Sequence, residues 1–227
     1  MAIGKNWGKT LVKVSVYIEG GAPNCEKVDV ATMTNSAVLR ESIFKILKGV
    51  SGQEIDISLD LKGSRDSACK AFASVDDKSL SLFVDSDCPN STLFSWFDQL
   101  KDNLGQPIII PEEKKEKVFF MIQEMESWIL KDVESLERCA EKEGWIRNDD
   151  SSIPSHSLIR NKDIEEIEKP SDKLALLLKH FFKDSKGKKI KYQKLKTAPS
   201  LLDCINPSLL KSRDSELQRF SYYVETL

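Results

Sequence analysis

The chain has 227 residues, enough to bury one core, alone or with a helical appendage. Its 40% hydrophobic and 31% charged content is that of a globular protein, and 34 basic against 36 acidic residues give a net charge of −2. That balance excludes a global electrostatic pull toward nucleic acid, so any such binding has to come from local patches. Cys25, Cys69, Cys88, Cys139 and Cys204 are odd in number and without C-x-x-C spacing. This argues against a zinc site or disulfide framework and suits a reducing compartment. Residues 1–9 lack an apolar signal core and no apolar run reaches about 18 residues, so the expectation is a cytoplasmic chain that is neither secreted nor membrane-spanning.

Residues 11–18 (LVKVSVYI) are rich in β-branched side chains and read as a first strand. It ends in Glu19-Gly20-Gly21, an acid on a turn whose glycines permit positive φ and the close approach of a ligand. Residues 24–34 are polar and carry no clear period. From Asn35 onward, Val38, Leu39, Phe44, Ile46 and Leu47 fall on one helical stripe, with Gly49 in the place of a C′ residue. Residues 54–61 (EIDISLDL) alternate as a strand with one wet face, and Gly63-Ser64-Arg65-Asp66 opens a short helix through Ala68, Ala71 and Phe72. Leu80 to Val84 is a buried strand whose tip is Asp85-Ser86-Asp87, with Pro89 stopping the ladder. A period of two points both carboxylates the same way.

Leu93 to Leu104 reads as a helix that packs Phe94, Trp96, Phe97 and Leu100. A charged approach at 114–117 leads to a further strand, Val118 to Ile122, and Glu124 and Glu126 follow it into a helix from Ser127 to Ala140. On that helix Trp128, Ile129, Val133 and Leu136 face inward, and Asp132 either orients a partner from below or faces water. Residues 144–154 are a loop of turn formers. His156 and His180 have no Cys or Ser in a recognisable pattern nearby and are read as structural or solvated. Pro170 starts a helix with an apolar stripe from Leu174 to Phe182. The stretch 183–196 (KDSKGKKIKYQKLK) holds seven lysines and one acid, a solvated face or a phosphate contact. Ala198 to Leu210 and Ser212 to Tyr223 read as two terminal helices, with Asn206-Pro207 marking the break between them.

Successive strand-turn-helix units predict an α/β fold with a mostly parallel sheet flanked by helices and ligands at the carboxyl ends of its strands. Residues 1–145 form this core, and 146–227 a helical, lysine-rich extension packed on it. Glu19, Arg65, Asp85, Asp87 and Glu126 all fall at such strand ends. Like charges held together call for a cation, and Mg²⁺ (or Mn²⁺) suits carboxylate oxygens; Asp85, Asp87 and Glu126 are the candidate ligands, with Glu124 an alternative to Glu126. Arg65 can clamp a phosphate, and Lys188, Lys189, Lys191 and Lys194 can hold a phosphate backbone. Each feature also has a structural explanation. Asp-Ser-Asp is the chemistry of a turn or helix N-cap, and the glutamates complement a helix dipole.

The pieces VYIEGG (16–21), GSRDSACKAF (63–72), LFVDSDCP (82–89), FFMIQEMESWILKD (119–132) and KYQKLKTAPSLL (191–202) resemble, in order, a bacterial and archaeal family labelled DUF4276, which looks like a divergent TOPRIM-type domain. In TOPRIM domains of topoisomerases, primases and nucleases a glutamate after the first strand is a general acid or base and a later D-x-D holds Mg²⁺. The resemblance implies these roles for Glu19 and for Asp85 and Asp87. A departure is Gly21-Ala22-Pro23, where many TOPRIM domains carry a further acid. The function implied is a Mg²⁺-dependent nuclease acting on DNA or RNA, the effector of a bacterial anti-phage or toxin module with an ABC- or SMC-like ATPase as partner. The alternatives are a non-catalytic subunit that binds such an ATPase, and hydrolysis of a nucleotide or tRNA.

Overall fold

A computed structural model of the chain describes residues 12–21, 30–52 and 54–227. The readings of residues 1–9 and of Cys25 lie outside the described residues, as does most of the polar stretch 24–34. Four strands, β1 (Val12–Ile18), β2 (Ile55–Leu61), β3 (Leu80–Asp85) and β4 (Val118–Met121), form a sheet in the order β2-β1-β3-β4. Every pairing in it is parallel, so all four strands deliver their carboxyl ends to one rim.

Alternation along the strands splits the apolar side chains between two faces. Leu80, Leu82 and Val84 of β3, with Val118 and Phe120 of β4, pack with Ala68, Cys69 and Phe72 of α2 (Arg65–Ser74). Phe83, Phe119 and Met121 point the other way, into a cluster with Ile43 and Leu47 of α1 (Val30–Ser51). On that face Phe83 and Phe119 stack and Phe220 meets both edge-on, all within 5.2 Å, ring centre to ring centre. β3, inside the sheet, and β4, at its edge, are buried on both faces.

Local chemistry sets the helix ends. Ser64 caps α2 by accepting from the Ser67 N–H, and Asp66 complements its first turn. The expectation that Gly49 ends α1 is corrected: Gly49 lies within the helix, and a Cβ there would stand 2.7 Å from Pro207. Its role is to let the Pro207 ring approach the helix backbone, and Gly52, with φ 71°, takes the left-handed turn after the helix. The expected helix from Leu93 to Leu104 is a 3₁₀ segment, Asn90–Ser95, followed by the single turn α3 (Trp96–Gln99); Phe94 is 85% exposed rather than packed. Another single turn, α4 (Glu112–Lys115), precedes β4.

The helix expected from Ser127 to Ala140 is two, α5 (Glu126–Lys131) and α6 (Ser135–Glu143). Asp132 lies at the break and is fully buried, neither facing water nor reaching the sheet rim. Its Oδ2 accepts from the Asn206 N–H at 2.7 Å and from Arg138 at 2.5 Å. The expected loop at 144–154 includes a two-residue strand, β5 (Ile146–Arg147), antiparallel to β6 (Phe182–Lys183). β6 directly follows α7 (Pro170–Phe181), which starts at Pro170 as read. Three terminal helices replace the expected two: α8 (Thr197–Asp203), α9 (Pro207–Arg213) and α10 (Ser215–Glu225). Asn206-Pro207 opens α9, with Asn206 Oδ1 accepting from the Ser208 and Leu209 N–H groups.

The chain beyond residue 145 supplies Leu174, Leu177, Phe181, Leu201, Leu210 and Phe220 to the same apolar cluster as β1 and α1. Its last helix also covers the free edge of β4. Glu216 accepts from the Phe120 N–H at 3.0 Å, and Arg219 donates to the Val118 carbonyl. Among the described residues no helix is long and apolar enough to cross a membrane.

Candidate functional site

The rim is assembled by bonds between strand tips. The Glu19 N–H donates to Phe83 O at 2.9 Å, so β1 remains in register with β3 one residue beyond its end. Gly20 and Gly63 then pair across the tips of β1 and β2. A side chain at Gly21 would meet Leu61 Cδ1 at 2.6 Å, and with φ 69° this position requires glycine. Across the sheet, Gln123 and Asp87 both adopt positive φ, 65° and 51°. They are tied by Asp87 N–H to Gln123 O at 2.9 Å and Gln123 N–H to Ser86 Oγ at 2.7 Å. Two non-glycine residues held in left-handed geometry at adjacent tips are the kind of local strain that a rigid surround imposes at sites of function.

That geometry corrects the expected parity of Asp85 and Asp87. The strand ends at Asp85, and the left-handed turn at Asp87 takes its carboxylate out of the pleat. Asp85, 6% exposed, faces the α5 side: its Oδ1 accepts from the Met125 N–H at 2.9 Å and its Oδ2 lies 3.4 Å from Lys194 Nζ. Asp87 turns to the α2 side, where Arg65 Nη1 donates to Oδ2 at 2.7 Å. A cavity of about 160 Å³ opens beside this pair, lined also by Ser86, Thr92, Ser95 and Gln99.

Glu19 lies between the two. Its Oε2 accepts from the Asp85 N–H at 3.0 Å. Burial pushes the Glu19 carboxyl up to about 7; the Asp85 N–H bond opposes the shift, Asp87 adds to it, and Arg65 and Lys194 oppose it. Asp85 is also raised well above the usual carboxylate range, first by burial and then by Glu19, Glu126 and Asp87, against the pull of Lys194.

Glu126, the first residue of α5, has a fully buried side chain. Its Oε1 accepts from Tyr192 OH, while Oε2 has no hydrogen-bond partner and lies 4.0 Å from Lys194 Nζ. Glu124 accepts from the Ser171 N–H at 2.9 Å and acts on Asp87 and Lys194 through its charge rather than by contact. The four candidate lysines separate. Lys194 reaches the acids, whereas Lys188, Lys189 and Lys191 are exposed on the adjoining segment, Lys189 in a bridge to Lys183.

The donor chemistry suits a hard divalent cation: several carboxylate oxygens, one of them buried without a partner. The arrangement is not closed around one point. Among the described residues no three His, Cys, Asp or Glu side chains are grouped to hold a metal ion. Asp85 and Glu126 instead face the Lys194 ammonium, and Asp87 faces Arg65. A metal at Asp85 and Glu126 fits by donor type and requires Lys194 to move.

Three residues outside the sequence reading belong to the site. Tyr192 holds Glu126, Ser86 Oγ accepts from Gln123, and Gln123 turns the β4 tip. Tyr192 stands out in the sequence only as the one aromatic among the lysines. The pairing of Ser86 with Gln123 has no local signal because it joins residues 37 apart.

These features define an α/β protein with a parallel sheet and an acid cluster at the carboxyl rim. The family described as "Domain of unknown function (DUF4276)" matches residues 26–225. The chain belongs to this family. Comparison with curated proteins and with solved structures found no match.

Proposed function

We propose that this chain is a Mg²⁺- or Mn²⁺-dependent nuclease with a TOPRIM-like core, the effector of an anti-phage or toxin module that works with an ATPase partner. The observation that carries the reading is Glu19, a carboxyl raised to about 7 and seated between Asp85 and Asp87 at the tips of adjacent parallel strands. A carboxyl in that range exchanges protons near neutral pH, which is what an acid or base in phosphodiester cleavage must do. The glutamate after β1 and the D-x-D after β3 also keep the resemblance to TOPRIM domains.

In this reading Glu19 moves the proton, Asp85 and Glu126 are the metal ligands, and Asp87, turned away to the α2 side, positions Arg65 rather than completing the D-x-D metal pair. Arg65, which holds Asp87 with one arm, can turn its guanidinium to a phosphate oxygen. Bound Mg²⁺ supplies charge stabilisation at the phosphate oxygens. The exposed Lys188, Lys189 and Lys191, with Lys194 at the rim, offer a local basic track on a chain that is acidic overall.

The test is cleavage of single- and double-stranded DNA and of RNA by the purified chain, alone and with an ABC- or SMC-like ATPase if a neighbouring gene encodes one, in Mg²⁺ or Mn²⁺. Glu19→Gln and Asp85→Asn should each abolish cleavage while circular dichroism stays native. Undiminished cleavage by either variant sinks the assignment. A second reading, a non-catalytic subunit that binds the ATPase, draws on the two cations already neutralising the acids. It predicts an intact complex, no cleavage by the wild type and no metal bound at millimolar concentration.

A further inference from the structure

We propose that the segment carrying Tyr192 and Lys194 is a built-in plug of the acid cluster, and that docked Lys194 and a divalent metal exclude one another. This rests on the metal reading of the site and adds an order of events: the ammonium leaves as the metal enters.

Lys194 Nζ stands 3.4 Å from Asp85 Oδ2 and 4.0 Å from Glu126 Oε2. Elsewhere the chain closes Lys–Asp pairs to 2.6 Å, as for Lys45 and Lys142 with Asp203. The longer spacing identifies an ammonium lodged between two carboxylates and gripped tightly by neither. Glu126 Oε2 is left buried with no hydrogen bond, an acceptor that this cation serves only by its field. The two oxygens would offer a divalent ion direct ligands, and its charge would repel an ammonium held against the same atoms.

The segment is built so that it can lift. The part that lifts is the turn at 193–196, where Lys196 N–H and Thr197 N–H both donate to Gln193 O; before it, Ile190 N–H donates to Phe182 O, and Ile190 and Tyr192 pack on the core. Its anchor at the cluster is Tyr192 OH on Glu126 Oε1, a bond to a metal-ligand candidate that a metal would contest. The Lys194 side chain is 54% exposed, so its path to solvent is open. Its neighbours Lys188, Lys189 and Lys191 are already in water. Displacement therefore adds one cation to a basic surface beside the newly occupied site and leaves no charge buried alone.

Mn²⁺ binding to the full-length chain, measured by calorimetry and by electron paramagnetic resonance, tests this on wild type, Lys194→Met and Lys194→Arg. Removal of the charge should tighten Mn²⁺ binding about tenfold, and Lys194→Arg should bind no tighter than wild type. In wild type, saturation with Mn²⁺ should speed amide hydrogen exchange across 193–196, a readout that needs no variant. Equal Mn²⁺ affinity in all three proteins, or slower exchange on saturation, overturns the plug alone. Failure of wild type and Lys194→Met to bind Mn²⁺ at millimolar concentration overturns the metal reading, and the plug with it.

Discussion

The side chain of Glu19 accepts the backbone N–H of Asp85 at 3.0 Å, so an ionisable group joins the tips of two paired strands. Burial raises this carboxyl to about 7 against a usual value of 4.5, and Asp85 is raised by the same cause. The sign follows from proton counts. Between about 4.5 and about 7 the folded chain keeps a proton that the unfolded chain has lost, so stability falls as pH rises through this window.

In chelator, urea denaturation should therefore show wild type less stable at pH 8 than at pH 5 by an amount to which Glu19 contributes about 3 kcal/mol. Glu19→Gln should flatten part of that slope and be the more stable protein at pH 8. A slope unchanged by the substitution would show that Glu19 titrates at its ordinary value.

Arg65 and Asp87 form a partly solvated pair, with side chains 31% and 58% exposed. Arg65→Ala should cost less than about 1 kcal/mol of stability. If Arg65 clamps a phosphate, the same substitution should lower cleavage about 100-fold, and Arg65→Lys should recover little of it. A variant that loses both stability and activity in proportion would assign Arg65 to the fold.

Gly49 permits α1 and α9 to touch, since a Cβ would stand 2.7 and 2.8 Å from two atoms of the Pro207 ring. A proline ring has little freedom to yield. Gly49→Ala should therefore cost about 1–3 kcal/mol of stability in urea denaturation, despite the helix propensity gained. Combined with Pro207→Ala, the cost of Gly49→Ala should shrink or reverse, and additive losses would place the strain elsewhere.

Lys131 is almost wholly buried between Asp214, at 2.6 Å, and Glu165, at 2.8 Å. A cavity of about 510 Å³ adjoins this cluster, but Glu165 and Asp214 are also satisfied by Ser215 and by the Leu217 N–H, which marks the cluster as structural. Lys131→Met leaves two carboxylates without their cation and should cost about 3–5 kcal/mol at neutral pH. Burial already raises Asp214, so the deficit should narrow as pH falls and the acids protonate. A deficit independent of pH would mean that packing, rather than charge, is lost.

The sheet was legible because β2 alternates, β1 is rich in β-branched residues, β3 and β4 are compact apolar runs, and the acids mark the rim where the strands stop. What failed had shared signals. Glycine serves both helix ends and close contacts, so Gly49 was misplaced until Pro207 was seen against it. The break at Asp132 contains neither glycine nor proline. It is maintained by bonds from Arg138 and from Asn206, 74 residues away. The D-x-D pair was read through strand parity, which holds only while the strand lasts, and Asp87 has already left it. Among the lysines of 183–196, composition could not separate Lys194 from its neighbours. Only the fold, by bringing residue 194 to residue 85, does so.

The clasp of Glu216 and Arg219 on β4 bears on how this protein can meet another. An uncovered parallel edge invites a foreign strand, and here the amide and carbonyl that would greet it are already occupied by a helix from the same chain. Loss of α10 would turn that guarded margin into an adhesive one, so shortened chains should be recovered as aggregates. An assembly that keeps α10 in place cannot be joined through the β4 edge, and the acid-bearing rim stays free to face whatever is brought to it.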